Sequence, residues 1–356
     1  MHTVATQPAF RERLTTAVSR LLDSAGAPGA AVSLLLDGRP VLEAGIGYRD
    51  AARTIPLRPD APFYLYSITK TLIAAALLQH VARGTLDLDA PIQTYLPDLP
   101  LPAPVTVRQL LNHSAALPDY GGLAAYQDAV REHPGSPWTG ERFLQVAATT
   151  EERPPPWRYS NVGYLILKLL LEKLSESSLQ VALHEQLFAP LQLYDTYVAE
   201  DLDTAATLTP GYSLFFDPDG DLQEVTRRYH PGWVAHGVVI STAPSLARLF
   251  HALFASDLLP APLRDAMAEP IMLPFAHPLF KQPAYGLGVM IDAASPHGLL
   301  IGHAGGGPGY ATAALCFPDV AGHDIVAVAL ANRDAPDLGL AIAHHLALAT
   351  AEALRS

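Results

Sequence analysis

Ser67 and Lys70 lie three residues apart in the segment FYLYSITKTLIAAALLQHVARG, where a helical pattern begins. On a helix, residues at positions i and i+3 share a face, with Cβ atoms roughly 5–6 Å apart. A serine becomes an effective nucleophile beside a base or a charge that eases its deprotonation, and a lysine one turn away can supply either. The helix N-terminus also offers free N–H groups to a developing anion. The pair therefore predicts covalent catalysis through Ser67, although this spacing alone also arises by chance.

The elements that must position this pair are strands near both termini and helices between them. Asp37-Gly38 is a strong hairpin signal between two short strands. A capping box from Thr106 to Gln109 begins a short helix. The other predicted elements are strands at 285–292, 298–305, 312–318 and 324–332, and helices at 8–26, 67–83, 165–176 and the C-terminal run.

Strands at both ends of the chain, with helices in the middle, predict an α+β fold. One antiparallel sheet, flanked by the terminal helices, is built from the two ends, and a mostly helical domain is inserted between them. The expected boundaries are 1–66 and 286–356 for the sheet domain and 67–285 for the helical domain. We expect the active site at their junction.

Composition excludes several classes of function. The 356 residues carry a net charge of -12 without a basic cluster, so we expect no nucleic-acid partner. No apolar run reaches the roughly 18 residues of a membrane span, and no signal peptide is visible, so a cytoplasmic location is expected. The single cysteine, Cys316, excludes an internal disulfide and is expected to be a small buried hydrophobe.

Three other segments place polar groups beside predicted elements. Tyr159-Ser160-Asn161 precedes the amphipathic helix, with Asn161 as its expected N-cap. LLNHSAALPDY at 110–120 ends a helix in a polar turn, where His113 is expected to stabilise the loop. His303-Ala304-Gly305-Gly306 ends one strand and leads to the next. Each segment alone also has a purely structural explanation.

In this order, the motifs resemble those of the serine β-lactamase and penicillin-binding-protein family, in its class C-like branch. That branch also contains D-alanyl-D-alanine carboxypeptidases, D-aminopeptidases and family VIII carboxylesterases. The resemblance extends from about Gly29 to the last helix and includes HGVVISTAPSLARLF at 236–250. Five weak motifs in the family's order make the resemblance specific.

The resemblance implies a role for each matching residue. Ser67 is the expected nucleophile, and Lys70 keeps it reactive. Tyr159 is expected to act with Lys70 as general base and then as acid toward the leaving group. A lysine ammonium beside Tyr159 would favour the phenolate. Asn161 is expected to orient the acyl side of the substrate.

The strand motif supplies the rest of the implied site. The backbone N–H groups of Ser67 and Gly306 are the expected oxyanion hole. His303, Ala304 and Gly305 are expected to bind substrate, and for His303 a packing role is an equal alternative. Most β-lactamases have Lys-Thr-Gly or Lys-Ser-Gly here, and the hydroxyl of the second residue commonly binds the substrate's carboxylate. Ala304 occupies that position in this chain and has no hydroxyl.

The sequence therefore predicts a serine hydrolase that acts on a small ester or amide through an acyl-enzyme on Ser67. No cofactor is expected, and no metal site, since the adjacent His344 and His345 point to different faces of a helix. Because of Ala304, a carboxylesterase ranks first. The alternatives are a D-amino-acid peptidase or amidase, a penicillin-binding DD-carboxypeptidase, a weak β-lactamase, an acyltransferase, and an inactive binding or scaffold protein. Tyr120, Trp233 and Phe275 are candidates for the pocket lining, and the oligomeric state is left open.

Overall fold

The computed structural model describes residues 7–99, 101, 104–148 and 157–355, which form helices and antiparallel strands. The strands are β1 (Gly29–Leu36), β2 (Arg39–Gly47), β3 (Phe63–Tyr64), β4 (Tyr197–Ala199), β5 (Tyr212–Ser213), β6 (Gln223–Glu224), β7 (Val238–Ser241), β8 (Ile271–Met272), β9 (Pro283–Tyr285), β10 (Met290–Asp292), β11 (Leu300–Gly307), β12 (Tyr310–Val320) and β13 (His323–Ala331). The α-helices are α1 (Pro8–Ala25), α2 (Ile68–Ala82), α3 (Val107–Leu111), α4 (Ala124–Glu132), α5 (Gly140–Ala148), α6 (Asn161–Ser175), α7 (Leu179–Leu183), α8 (Leu202–Ala205), α9 (Ala243–Phe254), α10 (Ala261–Met267) and α11 (Leu338–Arg355). Short 3-10 helices lie at Ile92–Thr94 and Pro231–Trp233, and one π-helical turn at His184–Phe188.

An eight-stranded antiparallel sheet joins the two ends of the chain, in the order β2-β1-β13-β12-β11-β10-β9-β8. This confirms the predicted α+β fold, with its sheet built from both termini. Asp37 and Gly38 connect β1 to β2 with φ values of 50° and 67°. Positive φ at both turn residues is the geometry that a tight two-residue hairpin requires, so the turn signal was correct.

The predicted strand at 285–292 is wrong as a single element. It is divided into β9 and β10, which pair with each other from Tyr285 and Met290 outward. Gly288 has a φ of 75° in the turn between them, and a Cβ there would lie 2.6 Å from Ala74 Cβ on α2. The glycines therefore allow a tight turn against α2, which periodicity alone does not reveal.

The boundary between sheet domain and helical domain remains a prediction. Strands β8 and β9 belong to the segment assigned to the helical domain, yet both pair within the large sheet. Helix α9, from the same segment, packs on β1, β12 and β13.

Both faces of the sheet are covered by helices. Every residue of β1 is buried, and alternate residues belong to two different cores. Ala30 and Val32 pack on the face that α1 and α11 cover, whereas Ala31 and Leu35 pack on the opposite face with α2 and α9. This alternation is the period of two that a strand with two buried faces must show.

Helix α2 lies inside the protein. Each residue from Ile68 to Leu78 is buried, because α2 packs on α6, on α7 and on β11. A helix that is apolar on all sides is typical of a core position. Its third residue, Lys70, is therefore buried as well. In the part of the chain that the structure describes, no helix is both long enough and apolar enough to cross a membrane.

A short strand pairing and a close backbone approach bring distant segments to the start of α2. Strand β3 pairs with β7, and the Leu65 N–H donates to the Val239 carbonyl at 2.8 Å. Strand β11 extends beyond β10, which pairs with residues 300–302 only. At Gly305, a Cβ would lie 2.1 Å from the Leu65 carbonyl oxygen. Only glycine therefore lets β11 approach the residues before Ser67 this closely.

Gly305→Ala should destabilise the protein by about 1–3 kcal/mol, because its methyl group must displace either β11 or the backbone at Leu65. The adjacent Gly306→Ala is the matched control, since a Cβ at Gly306 meets no heavy atom within 4 Å. It should change the free energy of unfolding by less than about 0.5 kcal/mol. Urea unfolding of both variants measures the difference, and equal values would contradict the close approach of β11.

Candidate active site

Ser67 is the N-cap residue of α2, and it follows a residue in an uncommon conformation. Tyr66 has a φ of 47°, which costs a non-glycine residue about 1–3 kcal/mol. Its hydroxyl donates to the Pro308 carbonyl at 2.6 Å, in the turn between β11 and β12. The nucleophile segment is therefore tied to the strand motif through Tyr66, and Ser67 remains half-buried on a cavity wall.

The Lys70 amine lies between three polar partners. Its Nζ is 3.1 Å from Ser67 Oγ, 2.7 Å from Asn161 Oδ1 and 3.3 Å from His236 Nε2. It also lies 4.8 Å from the centroid of the Tyr159 ring. The structure thus brings together four residues that the sequence assigned to the site, and it adds His236.

Burial sets the protonation of Lys70. The side chain is 0% exposed, and this desolvation lowers its pKa to about 7, against the opposing effect of the Asp119 charge. At neutral pH, a substantial fraction of the amine is therefore unprotonated. An unprotonated amine 3.1 Å from Ser67 Oγ can accept the serine proton.

The sequence predicted Asn161 as the N-cap of α6, and this prediction is wrong. Ser160 is the N-cap, and its Oγ accepts a hydrogen bond from the Gly163 N–H at 3.1 Å. Asn161 is the first helical residue, and its Nδ2 donates to Asp119 Oδ2 at 3.2 Å. Asp119 thereby fixes the amide so that Oδ1 faces Lys70.

Tyr159 lies beside Lys70, but the shift in its pKa differs from the expectation. Burial raises the pKa of Tyr159, and this effect outweighs that of the neighbouring Ser67 side chain, which lowers it. The phenolate that a nearby ammonium would favour is therefore disfavoured. Lys70 is the more available base in this arrangement, and Tyr159 is a phenol that can donate a proton.

His113 stabilises the loop, as the sequence predicted. Its Nδ1 accepts a hydrogen bond from the Ser160 N–H at 3.1 Å, and its ring lies 4.4 Å from the Tyr159 ring. Burial, with the charges of Lys70 and His303, holds the pKa of His113 well below its usual value. A neutral imidazole thus supports the segment that carries Tyr159.

His303 lies behind the cavity wall and does not contact the cavity, contrary to its predicted substrate-binding role. Its side chain is buried, its Nε2 accepts from the Tyr285 hydroxyl at 2.8 Å, and its Nδ1 donates to the Ala304 carbonyl at 2.5 Å. With both nitrogens engaged, the ring ties β9 to β11. The packing alternative is the one that fits this geometry.

The remaining residues of the strand motif line the cavity: Ala304, Gly305 and Gly306. Within the described residues, the N–H groups of Ile68 and Thr69 donate to backbone carbonyls, whereas the Ser67 N–H has no backbone acceptor. This arrangement is compatible with the predicted oxyanion hole at Ser67 and Gly306. The role of each residue remains a prediction.

The cavity has a volume of about 510 Å³ and an aromatic wall. Two predicted lining residues, Tyr120 and Trp233, lie on it, whereas Phe275 does not and is 50% exposed. Among the described residues that line the cavity, none is lysine or arginine, while Asp334 and Asp337 are acidic. The other aromatic lining residues are Tyr66, Tyr126, Phe215, Tyr229 and Tyr310.

Sequence reasoning missed Asp119 and His236 as parts of the site. Both lie inside segments that carried the resemblance, LLNHSAALPDY and HGVVISTAPSLARLF. Their position in those segments was the available signal, but their contacts with Asn161 and Lys70 join residues more than 40 positions apart in sequence.

The comparisons with known proteins identify the family of the chain. The beta-lactamase family profile matches residues 14–352. A penicillin-binding protein of Bacillus subtilis (strain 168) is 26% identical over 314 residues, 81% of this chain and 64% of that protein. A D-aminopeptidase of Gluconobacter oxydans is 28% identical over 204 residues, 57% of this chain and 38% of that enzyme. The chain thus spans less than two thirds of the length of these two curated relatives.

Solved structures show the same fold. A D-stereospecific amidohydrolase from Streptomyces sp. superposes with a TM-score of 0.77 at 28% identity, covering 91% of this chain and 94% of that chain. An antiparallel sheet with a Ser-x-x-Lys pair at the start of a buried helix defines the β-lactamase-like class of fold. The match over residues 14–352 shows that the chain belongs to the beta-lactamase family.

Lys70→Arg keeps the positive charge but cannot act as a base, since a guanidinium does not lose its proton. In the wild type, the rate of p-nitrophenyl acetate hydrolysis should rise with pH through about 7, as Lys70 becomes neutral. The arginine variant should hydrolyse this ester about 10²–10⁴-fold more slowly. Its rate should no longer rise with pH through about 7.

Lys281→Arg is the matched control, because Lys281 is exposed. It should keep both the wild-type rate and the wild-type pH profile. Wild-type activity in Lys70→Arg would show that the amine is not the base.

Proposed function

We propose that this protein hydrolyses small esters and amides that carry no carboxylate, through an acyl-enzyme on Ser67. One observation carries the proposal: a fully buried lysine amine lies 3.1 Å from a serine hydroxyl on the wall of an aromatic cavity. The proposal extends to the cytoplasmic location expected from the sequence.

In the proposed reaction, neutral Lys70 takes the proton of Ser67 while Oγ bonds to the acyl carbon. The N–H groups of Ser67 and Gly306 stabilise the oxyanion. The phenol of Tyr159 then donates its proton to the leaving alcohol or amine, and the proton held on Lys70 restores the phenol. Water attacks the acyl-enzyme in the same way and releases the acid.

The charge of the cavity selects the substrate class. Ala304 provides no hydroxyl, and no lysine or arginine is among the described lining residues, so a substrate carboxylate finds no cationic partner there. Asp334 and Asp337 instead favour neutral or cationic groups. Penicillins and peptides with a C-terminal D-alanine carry a carboxylate near the scissile bond, and we place both below other substrates.

Two substrate classes fit this charge. The sequence ranked carboxylesters first, and that ranking rests on Ala304. The similarity of this chain to a D-aminopeptidase and to a D-stereospecific amidohydrolase favours D-amino-acid amides. A D-amino-acid amide carries an ammonium group and no carboxylate, so we propose D-amino-acid amides as the first substrates and carboxylesters as the second.

A matched set of substrates tests the proposal: D-phenylalanine amide, its L enantiomer, its N-succinyl derivative and p-nitrophenyl butyrate. We expect kcat/KM to be highest for the D-amide among the amides, and lower by at least about tenfold for the L enantiomer and for the succinylated form. Ser67→Ala should hydrolyse none of them.

Each other outcome has a defined meaning. Ester hydrolysis without amide hydrolysis would restore the carboxylesterase as the first candidate. Preference for the succinylated amide would contradict the argument from cavity charge. If the folded protein hydrolyses none of these substrates and forms no adduct with a fluorophosphonate, the result would favour the alternative of an inactive binding protein.

A further inference from the structure

His236 lies directly beneath the site and has one polar partner. It precedes β7, its side chain is 1% exposed, and its Nε2 is 3.3 Å from Lys70 Nζ. Its Nδ1 has no hydrogen-bond partner among the described residues. A buried imidazole whose single polar contact is the Lys70 amine is placed to act on that amine.

The backbone fixes this contact. Strand β7 pairs with β3, which leads into Ser67, and the Val239 N–H donates to Thr69 Oγ1 at 3.0 Å. Thr69 is the neighbour of Lys70 on α2. The segment that carries His236 is therefore bound to the helix turn that carries Ser67 and Lys70.

The number of acceptors around Lys70 matches its donors. An ammonium group has three N–H donors, and the amine lies within hydrogen-bond distance of three acceptor atoms, on Ser67, Asn161 and His236. A neutral amine has two N–H donors and one lone pair. When Asn161 Oδ1 and His236 Nε2 accept the two N–H groups, the lone pair is directed at Ser67 Oγ.

We propose that His236 is a positioning residue that accepts one N–H of the Lys70 amine and so aims the amine's lone pair at Ser67 Oγ. This inference rests on the proposed function, since it assigns a device to the base of that reaction. The proton moves from Ser67 Oγ to the lone pair of Nζ as Oγ bonds to the acyl carbon. His236 neither gains nor loses a proton in this step.

The surroundings keep His236 neutral. Burial first, and then the charges of Lys70, His303, His113 and Lys168, hold the pKa of His236 well below its usual value. Because an ammonium has no lone pair, the contact assigns the imidazole proton to Nδ1 and leaves Nε2 as the acceptor. Asp119 acts on Lys70 from the other side, through Asn161.

Two variants separate positioning from packing. His236→Leu fills the space without an acceptor, whereas His236→Gln places an amide oxygen near the former position of Nε2. His80→Leu is a matched control. His80 is a buried histidine on α2, the helix that carries Lys70, but its ring contacts Thr85 and Ser175 instead of Lys70.

The first readout is the rate at which a fluorophosphonate labels Ser67, measured against pH. It needs no knowledge of the natural substrate. The second is the titration of Lys70 by NMR of ¹³Cε-labelled lysine, which is simple to assign because the chain has four lysines, at 70, 168, 173 and 281.

His236→Leu should lower the maximal labelling rate by up to about 10²-fold, because the lone pair is no longer held on Oγ. It should also move the pKa of Lys70 below the wild-type value, since the buried ammonium loses one of three acceptors. His236→Gln should restore both readouts toward wild type, and His80→Leu should change neither.

Wild-type rate and an unshifted Lys70 titration in His236→Leu would overturn the inference. So would equal defects in the glutamine and leucine variants, which would show that the ring serves packing. If the leucine variant does not fold, His236→Asn replaces it, because its shorter amide cannot reach Nζ. Failure of the wild type to label would defeat the proposed function, and the NMR titration would still decide the role of His236.

Discussion

The structure depends on the burial of one amine. Lys70 lies in a helix whose residues from Ile68 to Leu78 are all buried, so its charged form is held out of water. Such a group is tolerated when acceptors surround it and when it can become neutral. Asn161, His236 and Ser67 supply the acceptors, and the lowered pKa supplies the neutral form. The desolvation that opposes the charge of Lys70 also leaves part of the amine unprotonated at neutral pH.

Local sequence signals predicted much of this arrangement. The turn at Asp37-Gly38 and the helix that follows Ser67 result from short-range preferences, so the hairpin and the position of Ser67 before α2 were predictable. The order of the motifs predicted that Tyr159 and Asn161 would meet Lys70, and the structure brings them together. Several serines and asparagines can cap a helix, so the choice of Ser160 over Asn161 was not decided by sequence.

What the sequence did not predict depends on contacts between distant segments. The break between β9 and β10 follows from the approach of Gly288 to α2, and the internal role of His303 follows from the Tyr285 hydroxyl. The raised pKa of Tyr159 reflects burial by the whole fold, which outweighs the opposing effect of the neighbouring Ser67 side chain. Periodicity and motif spacing carry no information on desolvation, so the directions in which burial shifts the pKa values of Lys70 and Tyr159 required the structure.

Rapid-quench intact-mass analysis shows whether acyl groups pass through Ser67. Protein mixed with excess p-nitrophenyl butyrate and quenched in acid should carry one butyryl group, and peptide mapping should place it on Ser67. A burst of p-nitrophenol equal to the enzyme concentration should accompany it. Steady release of p-nitrophenol without any adduct, at a rate unchanged in Ser67→Ala, would show that Ser67 does not carry the acyl group.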